Sequence, residues 1–181
     1  MKDFLILVLK CFYLMLPAYF ANMAPVFVKK LAIFNYPLDF NKTFLGKPIL
    51  GKNKTFRGII SGTLFGILIA FLQSYAYNLD FFRGISFIDY NGWLVFGALM
   101  GFGAILGDSI KSFFKRRIGI ESGAPFIPFD QMDFTAGALI AVSVFGFLTL
   151  KIIFVSLFIN FFLHIIVNHI AHFLKIRDTK W

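Results

Sequence analysis

Apolar residues occur along this chain in runs of about 17 to 25, separated by short stretches rich in lysine and arginine. A helix needs roughly 20 apolar residues to cross a hydrocarbon core about 30 Å thick. The pattern therefore predicts an all-α, polytopic membrane protein with about five transmembrane helices. We place these spans at about 4–24, 58–77, 92–113, 134–150 and 152–174, with Lys151 marking a tight turn between the last two.

The composition supports this placement in a membrane. Hydrophobic residues make up 59% of the 181 positions and charged residues only 15%, whereas soluble domains are roughly 45–50% apolar and about 25% charged. The longest segment without an apolar run, about 29–57, is too short and too basic to form a soluble core. We therefore expect a single transmembrane domain over 1–181, with cytoplasmic loops at about 25–57 and 114–133.

The first predicted span shows no sign of signal-peptide cleavage or of redox chemistry. The first run stays apolar to about Ala24, which is longer than the core of a signal peptide and predicts a retained helix. Cys11 is the only cysteine. An intramolecular disulfide and a cysteine-rich metal site are therefore excluded.

Lysine and arginine are distributed unequally between the two predicted sides of the membrane. One side carries 14 of the 18, in the loop after the first span, in the end of the third span and the loop that follows it, and in the C-terminal tail, whereas the other carries Lys2, Arg83 and Lys151. Lys10 lies within the first span. By the positive-inside rule, the N-terminus is outside and the C-terminus is cytoplasmic. In a membrane protein, the net charge of +9 favours lipid headgroups and an anionic substrate as partners over nucleic acid.

Charged residues share one face of the third predicted helix near its cytoplasmic end. Asp108, Lys111, Ser112 and Lys115 are spaced i, i+3, i+4 and i+7. An ionisable group inside a span costs roughly 2.5–3.5 kcal/mol on insertion scales and indicates function by default. The alternative interpretation of Asp108 is a salt bridge to Lys111.

A second pair of carboxylates opens the fourth predicted helix on the same side. Asp130 and Asp133 are spaced i, i+3, so with Asp108 they bring three carboxylates to the cytoplasmic boundary. Such a group needs a cation or must bind protons, and hard oxygen ligands suit Mg²⁺ together with substrate phosphates. We predict a magnesium site formed by these three residues. The alternative interpretation of Asp130 and Asp133 is a helix-capping arrangement.

A basic segment precedes the second predicted helix. Residues 46–52 superficially match a phosphate-binding loop, but Asn53 stands where Ser or Thr should hold magnesium, and no strand precedes the segment. Cations and glycines before a helix N-terminus can still bind phosphate; the alternative is a solvated loop that sets topology. The predicted substrate-binding residues are Lys47, Lys52, Asn53, Lys54, Thr55, Arg57, Lys111, Arg116 and Arg117.

Polar and glycine patterns within the spans favour helix packing. Gly101, Gly103 and Gly107 predict close approach of helices rather than dinucleotide binding. In the last span, polar residues recur every four positions, and we favour interhelical hydrogen bonds for them over cavity lining. This stripe comprises Asn160, His164, Asn168 and His172. Asn22, near the inner end of the first span, is equally suited to either role.

Two of these segments resemble the CDP-archaeol synthases, which are archaeal membrane cytidylyltransferases. The later segment is also similar to the signature of the wider phosphatidate cytidylyltransferases, although Gln131 stands where bacterial members usually carry Arg. The resemblance spans most of the chain. It rests on the motifs Gly51–Gly58, Gly107-Asp108, Lys115-Arg116-Arg117, Pro128 and Asp130-Gln131-x-Asp133.

This resemblance implies a specific reaction. CTP and an unsaturated archaeal ether-lipid phosphate, 2,3-bis-O-geranylgeranyl-glycerol 1-phosphate, would give CDP-archaeol and pyrophosphate with Mg²⁺ as cofactor. Asp108, Asp130, Asp133 and Lys115 are the expected catalytic residues. A CTP-dependent polyprenol kinase and a non-enzymatic lipid or ion carrier are the alternatives.

The charge asymmetry leads to a direct test of sidedness. Single cysteines introduced at Lys54 and Arg83 should be labelled by an impermeant thiol reagent from opposite sides of the membrane, the first from the cytoplasm and the second from outside. The reverse labelling pattern would overturn the predicted topology and the cytoplasmic site together.

Overall fold

The structure is a computed structural model that describes residues 2–29, 33–122 and 124–173. The basic tail predicted to be cytoplasmic lies outside these residues. Within them the chain forms six α-helices, one 3₁₀ turn and one short β-hairpin. The elements are α1 (Lys2–Phe27), β1 (Thr43–Phe44), β2 (Lys47–Pro48), α2 (Phe56–Ala76), α3 (Asp80–Gly84), α4 (Trp93–Arg117), α5 (Phe129–Val142), the 3₁₀ turn (Ser143–Phe145) and α6 (Leu150–Phe173).

The helical membrane architecture predicted from the sequence is confirmed. In the described part of the chain, four helices are long and apolar enough to cross a membrane, namely α1, α2, α4 and α6. The fourth predicted span differs, because α5 has 14 residues and is about 21 Å long at 1.5 Å per residue. It is therefore shorter than a typical hydrocarbon core.

The turn between the last two helices is not where the sequence suggested. Lys151 was predicted to mark it, but Lys151 lies inside α6, and that prediction is wrong. The chain turns instead after the 3₁₀ segment, at Gly146, whose φ of +72° is left-handed. Glycine adopts this conformation without the steric cost that a side chain would add, and it commonly ends helices.

Close contacts between glycines hold α4 against α2 and α5. Gly66 of α2 faces Gly97 of α4, and a methyl group added at Gly97 would lie 2.7 Å from the carbonyl oxygen of Gly66. On the other side, Gly107 of α4 packs directly on Gly137 of α5 and on the Asp133 backbone. Small residues allow such backbone approach in lipid, where shape rather than water exclusion drives association. The predicted packing role of the α4 glycines is confirmed.

The segment before α2 is folded rather than extended. β1 and β2 pair antiparallel, with Thr43 opposite Pro48, around a turn at Leu45 and Gly46 where both φ angles are positive. This hairpin departs from the purely helical prediction. A two-residue turn with both φ angles positive suits the twist of the flanking strands, and so short an element has no long apolar pattern that would reveal it in the sequence.

Asp39 organises the remainder of this segment. Its carboxylate accepts backbone N–H bonds from Asn41 (3.0 Å), Leu50 (2.8 Å) and Gly51 (3.0 Å), and the residue is only 7% exposed. Burial disfavours the charged form, but the three N–H donors outweigh it and hold the pKa of Asp39 below its ordinary value. The carboxylate therefore stays ionised at neutral pH and fixes the path of the chain toward Lys54.

Candidate active site

A polar cavity of about 280 Å³ lies where the basic segment meets α4 and α5. Side chains from the segment after β2, the C-terminal half of α4, the loop at 118–128 and the first turns of α5 line it. Asn22 of α1 and His164 of α6 complete the lining. Four helices, α1, α4, α5 and α6, therefore contribute side chains to one site at one end of the helix bundle.

Lys111 occupies the centre of the charged residues in this cavity. Its ammonium nitrogen lies 3.2 Å from Asp108 Oδ1, 2.7 Å from Asp130 Oδ1 and 2.5 Å from Asp133 Oδ2. The lysine side chain is 14% exposed and that of Asp133 only 6%. The structure thus brings together the three carboxylates that the sequence placed at one membrane depth, around a single cationic atom.

Two further lysines flank this centre. Lys54 of the basic segment forms an ion pair with Asp108. Lys115 lies 3.2 Å from Asp130 Oδ1 and also donates to the carbonyl oxygen of Ala124 at 2.5 Å. Three lysines therefore balance three carboxylates. Charges this poorly hydrated are tolerated only when they are paired and hydrogen-bonded.

Of the two alternative interpretations of the carboxylates, the salt bridge is present and the helix cap is not. The salt bridge from Asp108 to Lys111 exists, but Lys111 serves three carboxylates rather than one. Asp130 does not cap α5, whose N-cap position is Pro128. Its carboxylate instead accepts the Phe126 N–H at 2.6 Å, so it anchors the loop before α5 while it pairs with lysine.

Arg117 and Lys47 connect α4 to the hairpin. The Arg117 guanidinium donates to the carbonyl oxygens of Phe44, Lys47 (3.0 Å) and Pro48 (2.5 Å). Lys47 Nζ donates in return to the Arg117 carbonyl oxygen at 3.0 Å. Both residues were predicted to bind substrate. The structure directs them to backbone carbonyls, where they hold the basic segment on α4.

The other predicted substrate-binding residues fall into two groups. Lys52, Asn53 and Arg116 line a second cavity of about 410 Å³. Asn53 and Arg116 also line the first cavity, so the two adjoin. Thr55, in contrast, caps α2 by accepting the Gly58 N–H at 3.2 Å, and it therefore supports the fold of the segment. Arg57 is the second residue of α2, and its backbone N–H donates to the Phe34 carbonyl oxygen at 2.8 Å.

The cavity also contains polar residues that the sequence did not single out as site residues. Gln131 is 2% exposed, lines the cavity and accepts a hydrogen bond from Asn160 of α6 through its backbone oxygen. The interhelical bond favoured for Asn160 is thus confirmed, whereas His164 and Asn22 line the cavity. The side chains of Asn168 and His172 lie outside the described residues. Ser122 has no sequence signal, because it reaches the site only through the loop path.

The fold and the site together define a multi-pass membrane protein with a charged cavity lined by lysines and carboxylates. The model of the CarS-like CDP-archaeol synthase family matches residues 4–181. This chain therefore belongs to the CarS-like CDP-archaeol synthase family.

Individual relatives agree with this family assignment over nearly the whole chain. The CDP-archaeol synthase of Archaeoglobus fulgidus is 37% identical over 180 residues, covering 97% of this chain and 98% of that protein. That of Methanocaldococcus jannaschii is 34% identical over 173 residues, covering 92% and 93%. A solved structure described as an intramembrane enzyme for archaeal membrane lipid biosynthesis matches with a TM-score of 0.71 at 31% identity, covering 86% of this chain and 90% of that one.

The position of Arg117 predicts a structural effect of its removal. Arg117→Ala should accelerate backbone hydrogen exchange over residues 43–51 by about tenfold or more, since charge-assisted hydrogen bonds contribute about 1.5–3 kcal/mol each. Lys42→Ala, which removes an exposed cation beside the same hairpin, should leave exchange unchanged. Unaltered exchange combined with weaker nucleotide binding would instead assign Arg117 to the substrate.

Proposed function

We propose that this chain transfers the cytidylyl group of CTP to an unsaturated archaeal ether-lipid phosphate, 2,3-bis-O-geranylgeranyl-glycerol 1-phosphate. The products are CDP-archaeol and pyrophosphate. The observation that carries this proposal is the convergence of Asp108, Asp130 and Asp133 on Lys111, with Lys54 and Lys115 beside them. Membership of the CDP-archaeol synthase family supports the same reaction.

The lysines of the site can reduce the electrostatic repulsion between the two substrates of this reaction. CTP and a lipid phosphate are both anions and repel each other. Lys54, Lys111 and Lys115 can pair with phosphate oxygens in a partly dehydrated cavity, where such charge-assisted bonds are stronger than in water. The adjoining cavity, lined by Lys52, Asn53 and Arg116, provides room for the rest of the nucleotide.

A divalent cation fits the donor chemistry of the site. Among the described residues, no three His, Cys, Asp or Glu side chains already surround an ion-sized space. Three carboxylates nevertheless converge on one cationic atom, the nitrogen of Lys111, and hard oxygen donors suit Mg²⁺. We propose that Asp108, Asp130 and Asp133 hold Mg²⁺ when nucleotide is bound. The ion would neutralise charge on the CTP phosphates.

The bond changes require little acid–base chemistry from the protein. An oxygen of the lipid phosphate forms a new bond to the α-phosphorus of CTP, while the bond from that phosphorus to the oxygen bridging to the β-phosphorus breaks. The leaving pyrophosphate takes the electron pair. A phosphate monoester with a second pKa of about 6 is already ionised near neutral pH, so no strong general base is needed. Catalysis rests on positioning and charge stabilisation.

The location of the site follows from its two substrates. One dissolves in water and the other stays in the bilayer, so the cavity must be reached from both. We propose that the enzyme lies in the cell membrane with the cavity on the cytoplasmic side, in agreement with the positive-inside rule.

Product analysis tests the proposed reaction. Purified protein with labelled CTP, Mg²⁺ and the lipid phosphate should give a CDP-lipid and pyrophosphate, and unlabelled CTP should compete far better than ATP. Release of CDP would identify a polyprenol kinase. Absence of any CTP turnover would identify a carrier.

Removing one carboxylate charge tests the proposed metal-holding unit. Asp108→Asn, Asp130→Asn and Asp133→Asn should each lower kcat by about 10²- to 10³-fold and weaken the dependence on Mg²⁺. A double variant should be little worse than the more damaging single one, because residues that act as a unit are not additive. Asp80→Asn, at a fully exposed carboxylate in α3, should leave kcat unchanged. Normal turnover and unchanged Mg²⁺ dependence in a site variant would reduce that residue to a structural role.

A further inference from the structure

Two apolar grooves of similar size lie between helices of the bundle. One, of about 560 Å³, lies between α4 and α5 and will be called the α4–α5 groove. The other, of about 650 Å³, lies between α1 and α6 and will be called the α1–α6 groove. The α4–α5 groove is lined mainly by Ile110, Phe114, Phe129, Met132, Ala136 and Ile140.

The two grooves differ in whether charged residues are part of their lining. Lys111 and Asp133 line the α4–α5 groove and also line the polar cavity. The α1–α6 groove is lined by aliphatic and aromatic side chains, among them Val8 and Phe158, and none of its described lining residues is charged. Of the two, the α4–α5 groove alone therefore adjoins the charged site, and Lys111 and Asp133 lie between the groove and the polar cavity. A molecule that lies in it can place an anionic end on Lys111 without leaving the membrane.

We propose that the α4–α5 groove binds one isoprenoid chain of the lipid phosphate and delivers its phosphate to Lys111. This inference rests on the proposed function and assigns the lipid's position within it. The groove is formed by the same packing that builds the site, because Gly107 and Gly137, where α4 and α5 touch, are part of its lining. The close approach of the two helices at these glycines sets the depth of the groove between them.

The dimensions of the α4–α5 groove suit one geranylgeranyl chain of the lipid phosphate. An apolar cavity of about 150 Å³ holds benzene, with its six carbon atoms. By that proportion, 560 Å³ has room for about 20 carbon atoms. Along α4 the lining extends from Gly107 to Ile118, which is about 16 Å at 1.5 Å per residue.

Charge, rather than apolarity, explains why this groove selects the substrate. In a bilayer every lipid tail is apolar, so moving a chain from lipid into a groove yields little hydrophobic free energy. Packing against Phe114 and Phe129 adds a modest contribution. The ion pair between the phosphate and Lys111 then fixes which lipid stays, since an uncharged headgroup gains nothing at the polar end.

Filling the groove tests the proposal through substrate chain length. Ala136→Phe places a ring in the α4–α5 groove, and Val8→Phe does the same in the α1–α6 groove as a matched control. A ring there displaces the chain and draws the lipid phosphate away from Lys111, and loss of one charge-assisted hydrogen bond corresponds to about a tenfold or greater loss of affinity. Ala136→Phe should therefore raise KM for the long-chain lipid phosphate about tenfold. KM for CTP and turnover of a short-chain, water-soluble diether glycerol phosphate should not change, and Val8→Phe should behave as wild type.

Two results would overturn the proposal. One is an equal effect of Ala136→Phe and Val8→Phe. The other is an equal loss of activity in Ala136→Phe with long-chain and short-chain substrates, which would indicate damage to the site itself.

A binding measurement separates this inference from the proposed reaction. An isoprenoid phosphate with a photoreactive group at the chain end should cross-link to α4–α5 groove residues in the wild-type protein, without CTP. Cross-links in the α1–α6 groove, or spread over all lipid-facing helices, would contradict the inference. Cross-links in the α4–α5 groove together with no CDP-lipid product would uphold the groove and refute the proposed reaction.

Discussion

α4 and α5 approach each other across glycines, and the charged residues of the site meet about one turn from that contact. Gly107 lies directly on the Asp133 backbone, and Asp108 and Lys111 follow on α4. A larger residue at this crossing would separate the helices and with them the carboxylates of α4 and α5. Because lipid does not drive helices together as water does, backbone proximity of this kind is what determines the distances within the site.

The resulting charge arrangement is balanced but demanding. Three carboxylates and three lysines satisfy one another with side chains that are at most 22% exposed, so removal of any one leaves an uncompensated charge. The same arrangement suits phosphate chemistry, because the lysines are already oriented and need little reorganisation when anions arrive. In a site held together by ion pairs, each lysine can therefore exchange its carboxylate partner for a phosphate oxygen of the substrate.

The cations of the basic segment and of the adjacent end of α4 divide into structural and site-lining roles. Lys47 bonds a backbone carbonyl and Arg117 bonds three, whereas Lys54 pairs with Asp108 inside the cavity. Asp39 makes this division possible, since its three N–H bonds fix the chain between the hairpin and Lys54. The number of charges alone does not separate these roles, because all three residues are cations in or beside the basic segment.

The sequence by itself determined the properties that depend on local periodicity. Apolar runs predicted the membrane helices, the i, i+3, i+4, i+7 spacing placed Asp108, Lys111 and Lys115 on one face, and the paired motifs identified the family. Only the tertiary structure decided the contacts between elements. Lys111 lies at the centre of the carboxylates, and Arg117 binds the hairpin backbone. The turn before the last helix lies at Gly146 and not at Lys151. Side-chain spacing along a helix is set by its own backbone, but distances between helices depend on packing and loop path, which no single segment encodes.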